Sequence, residues 1–167
     1  ASDNPNYHND VVGIGKDGSQ ALLQKQSHSF DDITRIYIDA LQTNNAANVG
    51  VFNNDTSYVI IGTNGGLLCN TLATGSELPP TPLFNSRIER EWKVTKTNFS
   101  QTFNCDITIS PCAIGIDFDT TCLALLVDDD GDFTNATAYN STSGLVFSMV
   151  GNTITVSGIS NLHIPDN

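Results

Sequence analysis

Apolar and polar residues exchange places with a short period along this chain, and the period is close to two more often than to 3.6. Thr34-Arg35-Ile36-Tyr37-Ile38-Asp39-Ala40 alternates strictly, which puts Ile36, Ile38 and Ala40 on one face of a strand. Thr102 to Ile109 alternates in the same way, with Phe103, Cys105, Ile107 and Ile109 on one face and Pro111 ending the run. Asp10 to Gly15 predicts a strand that ends in a turn, and Val49 to Phe52 a further strand. Tyr58-Val59-Ile60-Ile61-Gly62 is apolar throughout, as a central strand is. Arg87 to Val94 reads as a strand of alternating charge and bulk, with Glu89 and Glu91 on the same side. Leu123 to Val127 reads as a buried strand that stops at carboxylates. Leu145–Val150 and Thr153–Gly158 flank Gly151-Asn152 as the arms of a hairpin.

Punctuation supports the same picture. Turn clusters fall at Thr43–Asn48, Asn53–Thr56 and Asn64–Gly66. Ala73 to Pro82 is a loop containing Gly75 and three prolines. Ser19 to Gln26 has room for one or two helical turns and carries no clear cap. The sum is about nine or ten short strands and no long helix. That pattern predicts an all-β antiparallel β-sandwich, jelly-roll or Ig-like, with residues 1–167 forming a single domain.

Charge narrows the function classes. Seven Lys and Arg stand against eighteen Asp and Glu, a net charge of −11. So few cations do not build a phosphate-tracking surface or hold an anionic membrane, which argues against nucleic acid and against direct membrane insertion. The chain opens at Ala1-Ser2-Asp3-Asn4-Pro5 with no visible leader, which predicts a processed protein or a piece of a longer one.

The densest chemistry lies at Asp128-Asp129-Asp130-Gly131-Asp132. Asp128, Asp130 and Asp132 have the one-three-five spacing that wraps carboxylates around calcium, with Asp117, Asp119 or Asn135 available to complete the shell. It is no EF-hand, because Gly131 precedes the third aspartate and Tyr139 stands where a bidentate Glu belongs. A structural calcium is the favoured reading, and a solvated acidic turn the alternative. Gly13-Ile14-Gly15-Lys16-Asp17-Gly18 matches GxGxxG literally, but the following helix is too short for a dinucleotide fold, and glycines in a tight turn explain it better. Trp92 beside Arg87, Arg90 and Lys93 offers a sugar-stacking platform, with Tyr7, Tyr37, Tyr58 and Tyr139 as further candidates, against the commoner fate of a Trp in the core.

Four cysteines, none in a CxxC pair, point to disulfides and an oxidising compartment. Cys112–Cys122 and Cys69–Cys105 are the favoured pairings, with four buried thiols as the alternative. His8, His28 and His163 are scattered, and no nucleophile elbow or HExxH is present.

Three stretches together resemble a known module. Tyr7 to Asp17 with Leu23 to Ser27, then Arg87 to Val94, then Leu125 to Phe133, are similar to the β-rich module of large surface and adhesin proteins of Bacteroidota, exported by the type IX system. The resemblance implies an extracellular, cell-surface location, a β-rich fold and membership of long adhesins or filaments, and it brings no catalytic residues. Modules of that kind run on into another strand beyond the segment matching Ile154 to Ile164. The chain is therefore expected to be one module of a longer protein, or to take a strand from a neighbour in an assembly.

The expected function is a non-enzymatic structural or adhesive module stiffened by calcium and disulfides, with neighbouring modules or subunits as partners. The alternative is a lectin-like module that binds a glycan through the acidic turn and the aromatics.

Overall fold

The computed structural model of the chain describes residues 6–68, 70–72, 77–79, 86–109 and 119–165. Its alternating segments extend, pair antiparallel and turn their apolar faces to one another. The first sheet has the order β2-β1-β5-β8, with β1 Asn9–Asp17, β2 Leu22–Gln24, β5 Ser57–Thr63 and β8 Trp92–Thr97. The second has the order β12-β13-β9-β4-β3, with β3 Gln26–His28, β4 Thr34–Tyr37, β9 Phe103–Thr108, β12 Val146–Val150 and β13 Thr153–Ile159. Two ribbons flank them: β6 Asn70–Leu72 with β7 Ser86–Ile88, and β10 Leu125–Val127 with β11 Thr137–Tyr139.

One core lies between the sheets. Val12, Ile14, Val59 and Ile61 enter it from the first, and Ile36, Phe103, Cys105, Ile154 and Val156 from the second. The connection from β4 to β5 adds Phe52, and the connection from β8 to β9 adds Phe99. Phe52, Phe99 and Phe103 meet edge to face at 6.0 and 5.9 Å, so two of the sheet-to-sheet crossings, β4 to β5 and β8 to β9, are tied to the same aromatic row. The chain is thus an antiparallel β-sandwich with nine strands in its two main sheets.

Five local expectations change. Ser19–Gln26 holds a single 3-10 turn, Gly18–Gln20, capped by the Asp17 carboxylate, and then runs into β2 and β3. Val49–Phe52 is no strand: Val49 and Val51 are exposed, and only Phe52 turns inward. Arg87–Val94 breaks in two, because Glu89–Glu91 leaves the ladder between β7 and β8. Leu123–Val127 is half-buried at the rim of the core rather than inside it, and Ala40 is exposed while Ile36 and Ile38 are buried.

The GxGxxG glycines divide. Gly18 opens the 3-10 turn, and its N–H donates to the Asp55 carboxylate at 2.8 Å. Gly13 and Gly15 lie inside β1, opposite Ile60 and Tyr58 of β5. A Cβ on Gly15 would fall 2.6 Å from Tyr58 Cδ1, so the missing side chain makes room for the tyrosine ring.

Candidate functional site

The acidic loop joins β10 to β11, whose register runs from Leu125 opposite Tyr139 to Val127 opposite Thr137. Its carboxylates are used first on the chain itself. Asp128 Oδ2 accepts from the N–H of Asp130 at 2.9 Å and of Gly131 at 2.5 Å. Asp130 Oδ1 accepts from the Asp132 N–H at 3.1 Å, and Asp132 Oδ1 from the N–H and hydroxyl of Thr134 at 2.9 and 2.5 Å. These overlapping Asx turns are why Asp and Gly form the loop. Burial pushes the Asp128 carboxyl up, but the N–H groups of Gly131 and Asp130 outweigh it and hold the group below the usual carboxylate range.

The other predicted ligands are dispersed. Asp119 caps the 3-10 turn Thr120–Cys122 by accepting from the Thr121 N–H at 2.9 Å, and Thr121 draws its carboxyl downward. Asn135 is exposed on the same loop, and Asp117 lies outside the described residues. Among the described residues no three His, Cys, Asp or Glu side chains are gathered as a metal cage.

The loop leans on a polar cluster in which Tyr7 and Arg87, candidates from the sequence, are joined by Glu91 and Glu77, a link that sequence reasoning missed. Tyr7 donates its hydroxyl to Glu91 Oε2 at 2.8 Å, Arg87 donates to Glu91 Oε1 at 3.1 Å, and Arg87 also pairs with Glu77. The Arg87 guanidinium stands 4.9 Å over the Phe133 ring at the end of the acidic loop. Burial, then the bond to Glu91, push the Tyr7 phenol up to about 12. Beside this cluster Asn6, Tyr7, His8, Asn9, Asn64 and Glu91 line a polar cleft of about 460 Å³. The signal for it was the Arg87/Glu91 pair, whose significance depended on a strand break that alternation hides.

Trp92 and Arg90 sit next to these residues, and both are occupied. Trp92 is half-buried against the core and donates its indole N–H to Thr34 Oγ1 at 3.1 Å, linking the two sheets. Arg90 is only 11% exposed, and donates to Gly66 O at 2.7 Å and to Asp10 Oδ2 at 2.9 Å. Cys105 is a buried free thiol, pushed up to about 12 by burial and then by Asp106, and Cys122 is an exposed free thiol. Cys69 and Cys112, the partners expected for them, lie outside the described residues.

Among the described residues no helix is long and apolar enough to cross a membrane. No curated protein and no solved structure matches the chain. One family model, described as Domain of unknown function (DUF8202), matches residues 1–162, nearly the full length, and the chain belongs to that family.

Proposed function

We propose that the chain is a non-enzymatic structural and adhesive module of a secreted cell-surface adhesin or filament, stabilised by calcium at Asp128, Asp130 and Asp132. Neighbouring modules or subunits are its partners. The observation that carries this reading is where its polar side chains are spent. Trp92 ties sheet to sheet, Arg90 ties β1 to the segment before β8, and buried Lys96 donates to Asn161 and to the Ile164 carbonyl, at 2.7 Å for the latter. These contacts hold shape. The likeness of its three stretches to Bacteroidota surface modules supports export by the type IX system.

Calcium fits the loop as a clip. A cation draws Asp130 and Asp132 toward Asp128 and relieves the repulsion of adjacent carboxylates. At extracellular affinity this adds about 1 kcal/mol, or roughly 2–4 °C in Tm. The test is calorimetric titration with millimolar calcium, followed by melting of Asp130→Ala with calcium and with chelator. The expected outcome is binding heat, and a lower Tm for the variant in calcium alone. No heat and an unchanged Tm would sink the calcium clip.

A second reading, a lectin-like glycan-binding module, draws on the amide-lined cleft around Tyr7 and Glu91 beside the same loop. A glycan array run with and without chelator separates the two, since calcium-dependent sugar binding removes the purely structural reading.

A further inference from the structure

We propose that β12 is a self-association edge: two copies pair β12 to β12, antiparallel, about a two-fold axis through Ser148. The proposal deepens the module reading by naming one partner as a second copy of the chain.

The first observation is a gap in charge. From Phe133 to Leu162 there is no Asp, Glu, Lys or Arg, in a chain that carries eighteen acids and seven bases. This stretch supplies β11, β12 and β13. Copies with a net charge of −11 repel one another. The charge-free stretch is where two of them approach at least cost.

The second observation is an edge that, among the described residues, carries none of the usual guards. The main sheets end in β2, β8, β12 and β3. Strands β2 and β3 are three residues long, and β8 carries the exposed Lys93. Short edges and edge lysines are the usual guards against strand addition. β12 has five residues, no charge, no proline and an unbroken register with β13. Val146 is 62% and Val150 83% exposed, whereas Phe147 and Met149 pack against the core. The Thr120–Cys122 turn approaches β12, yet among the described residues it sends the strand no backbone hydrogen bond.

The third observation is register. Val150 opposite Thr153 closes a two-residue loop led by Gly151 at φ 58°, as a type II′ hairpin requires. Val146, Ser148 and Val150 therefore exchange hydrogen bonds with β13, and the N–H and C=O groups of Phe147 and Met149 point away from it. An antiparallel copy centred on Ser148 sets Phe147 against Met149, twice, in hydrogen-bonded pairs. It sets Val146 against Val150 and Ser148 against Ser148 in the closer non-hydrogen-bonded pairs. The sequence Val-Phe-Ser-Met-Val reads nearly the same in both directions by size and polarity, so the pairing satisfies itself.

The test is sedimentation velocity over a wide protein concentration range in reducing buffer, so that exposed Cys122 does not cross-link. Wild type is expected to form a reversible dimer. Ser148→Lys and Ser148→Glu place like charges face to face and are each expected to weaken it by about tenfold or more. Mixing the two variants is expected to restore association. A wild type that stays monomeric at all concentrations overturns the proposal, as does a dimer indifferent to Ser148→Lys, or a mixture that does not recover. Because Ser148 is exposed, both variants should keep the near-ultraviolet dichroism of wild type. A monomeric result leaves the calcium titration, and with it the module reading, untouched.

Discussion

Asp17 shows how a single carboxylate closes an element. Its Oδ1 accepts from the N–H and hydroxyl of Ser19 at 3.0 and 2.7 Å and from the Gln20 N–H at 3.3 Å, while Oδ2 accepts from the Tyr58 hydroxyl at 2.6 Å. The Tyr58 bond first, then Ser19, hold the carboxyl below the usual range, and the same bond pushes the Tyr58 phenol up to about 12. A depressed carboxyl adds stability above its unfolded pKa, and that stability is lost as pH falls through the folded value. In Tyr58→Phe the Asp17 carboxyl, followed by carbon-13 NMR titration, should move up toward an ordinary aspartate. The native fold should then lose part of its acid resistance. A titration unmoved by the substitution would show that the turn amides alone hold the group.

At the scale of elements, β1 depends on what it lacks. Gly15 faces Tyr58 with no space for a Cβ, whereas a Cβ on Gly13 would meet Ile60 Cγ1 and the Val59 carbonyl at an ordinary 3.6 Å. Gly15→Ala should therefore destabilise by about 1–3 kcal/mol through overpacking. Gly13→Ala should be neutral or stabilise by up to about 1 kcal/mol through the unfolded chain. Denaturant unfolding of the two variants checks the pair, and equal effects would contradict this account of the strand. The break between β7 and β8 follows a similar logic. Glu91 keeps one backbone bond, its carbonyl accepting from the Asn64 N–H at 3.2 Å, while its own N–H donates to Asn64 Oδ1 at 3.1 Å and its carboxylate is held by Tyr7 and Arg87.

For the whole molecule, five of the seven Lys and Arg, namely Lys25, Arg35, Arg87, Arg90 and Lys96, are tied into contacts within the chain. Both main sheets share one core, and the β4-to-β5 and β8-to-β9 crossings each contribute a phenylalanine to it. Unfolding should therefore be one cooperative transition, with near- and far-ultraviolet dichroism melting together. Two separated transitions would mean that the sheets are independently stable.

Alternation is a local property, and what it governs was legible in the residues: the all-β class, the inward faces of β4 and β9, and the β12–β13 hairpin with its register. The Asp-rich turn was legible for the same reason, since Asx turns close within two or three residues. Partners distant in sequence were not. Trp92 meets Thr34 across 58 positions and Lys96 meets the Ile164 carbonyl across 68, so only the packing of one sheet on the other turned a candidate sugar platform into an internal tie. The same holds for Glu91, whose carboxylate is held by Tyr7, and for Gly15, whose place is set by a ring on another strand. Such contacts form only once two sheets approach and must satisfy each other's buried polar groups, a demand that no single segment carries.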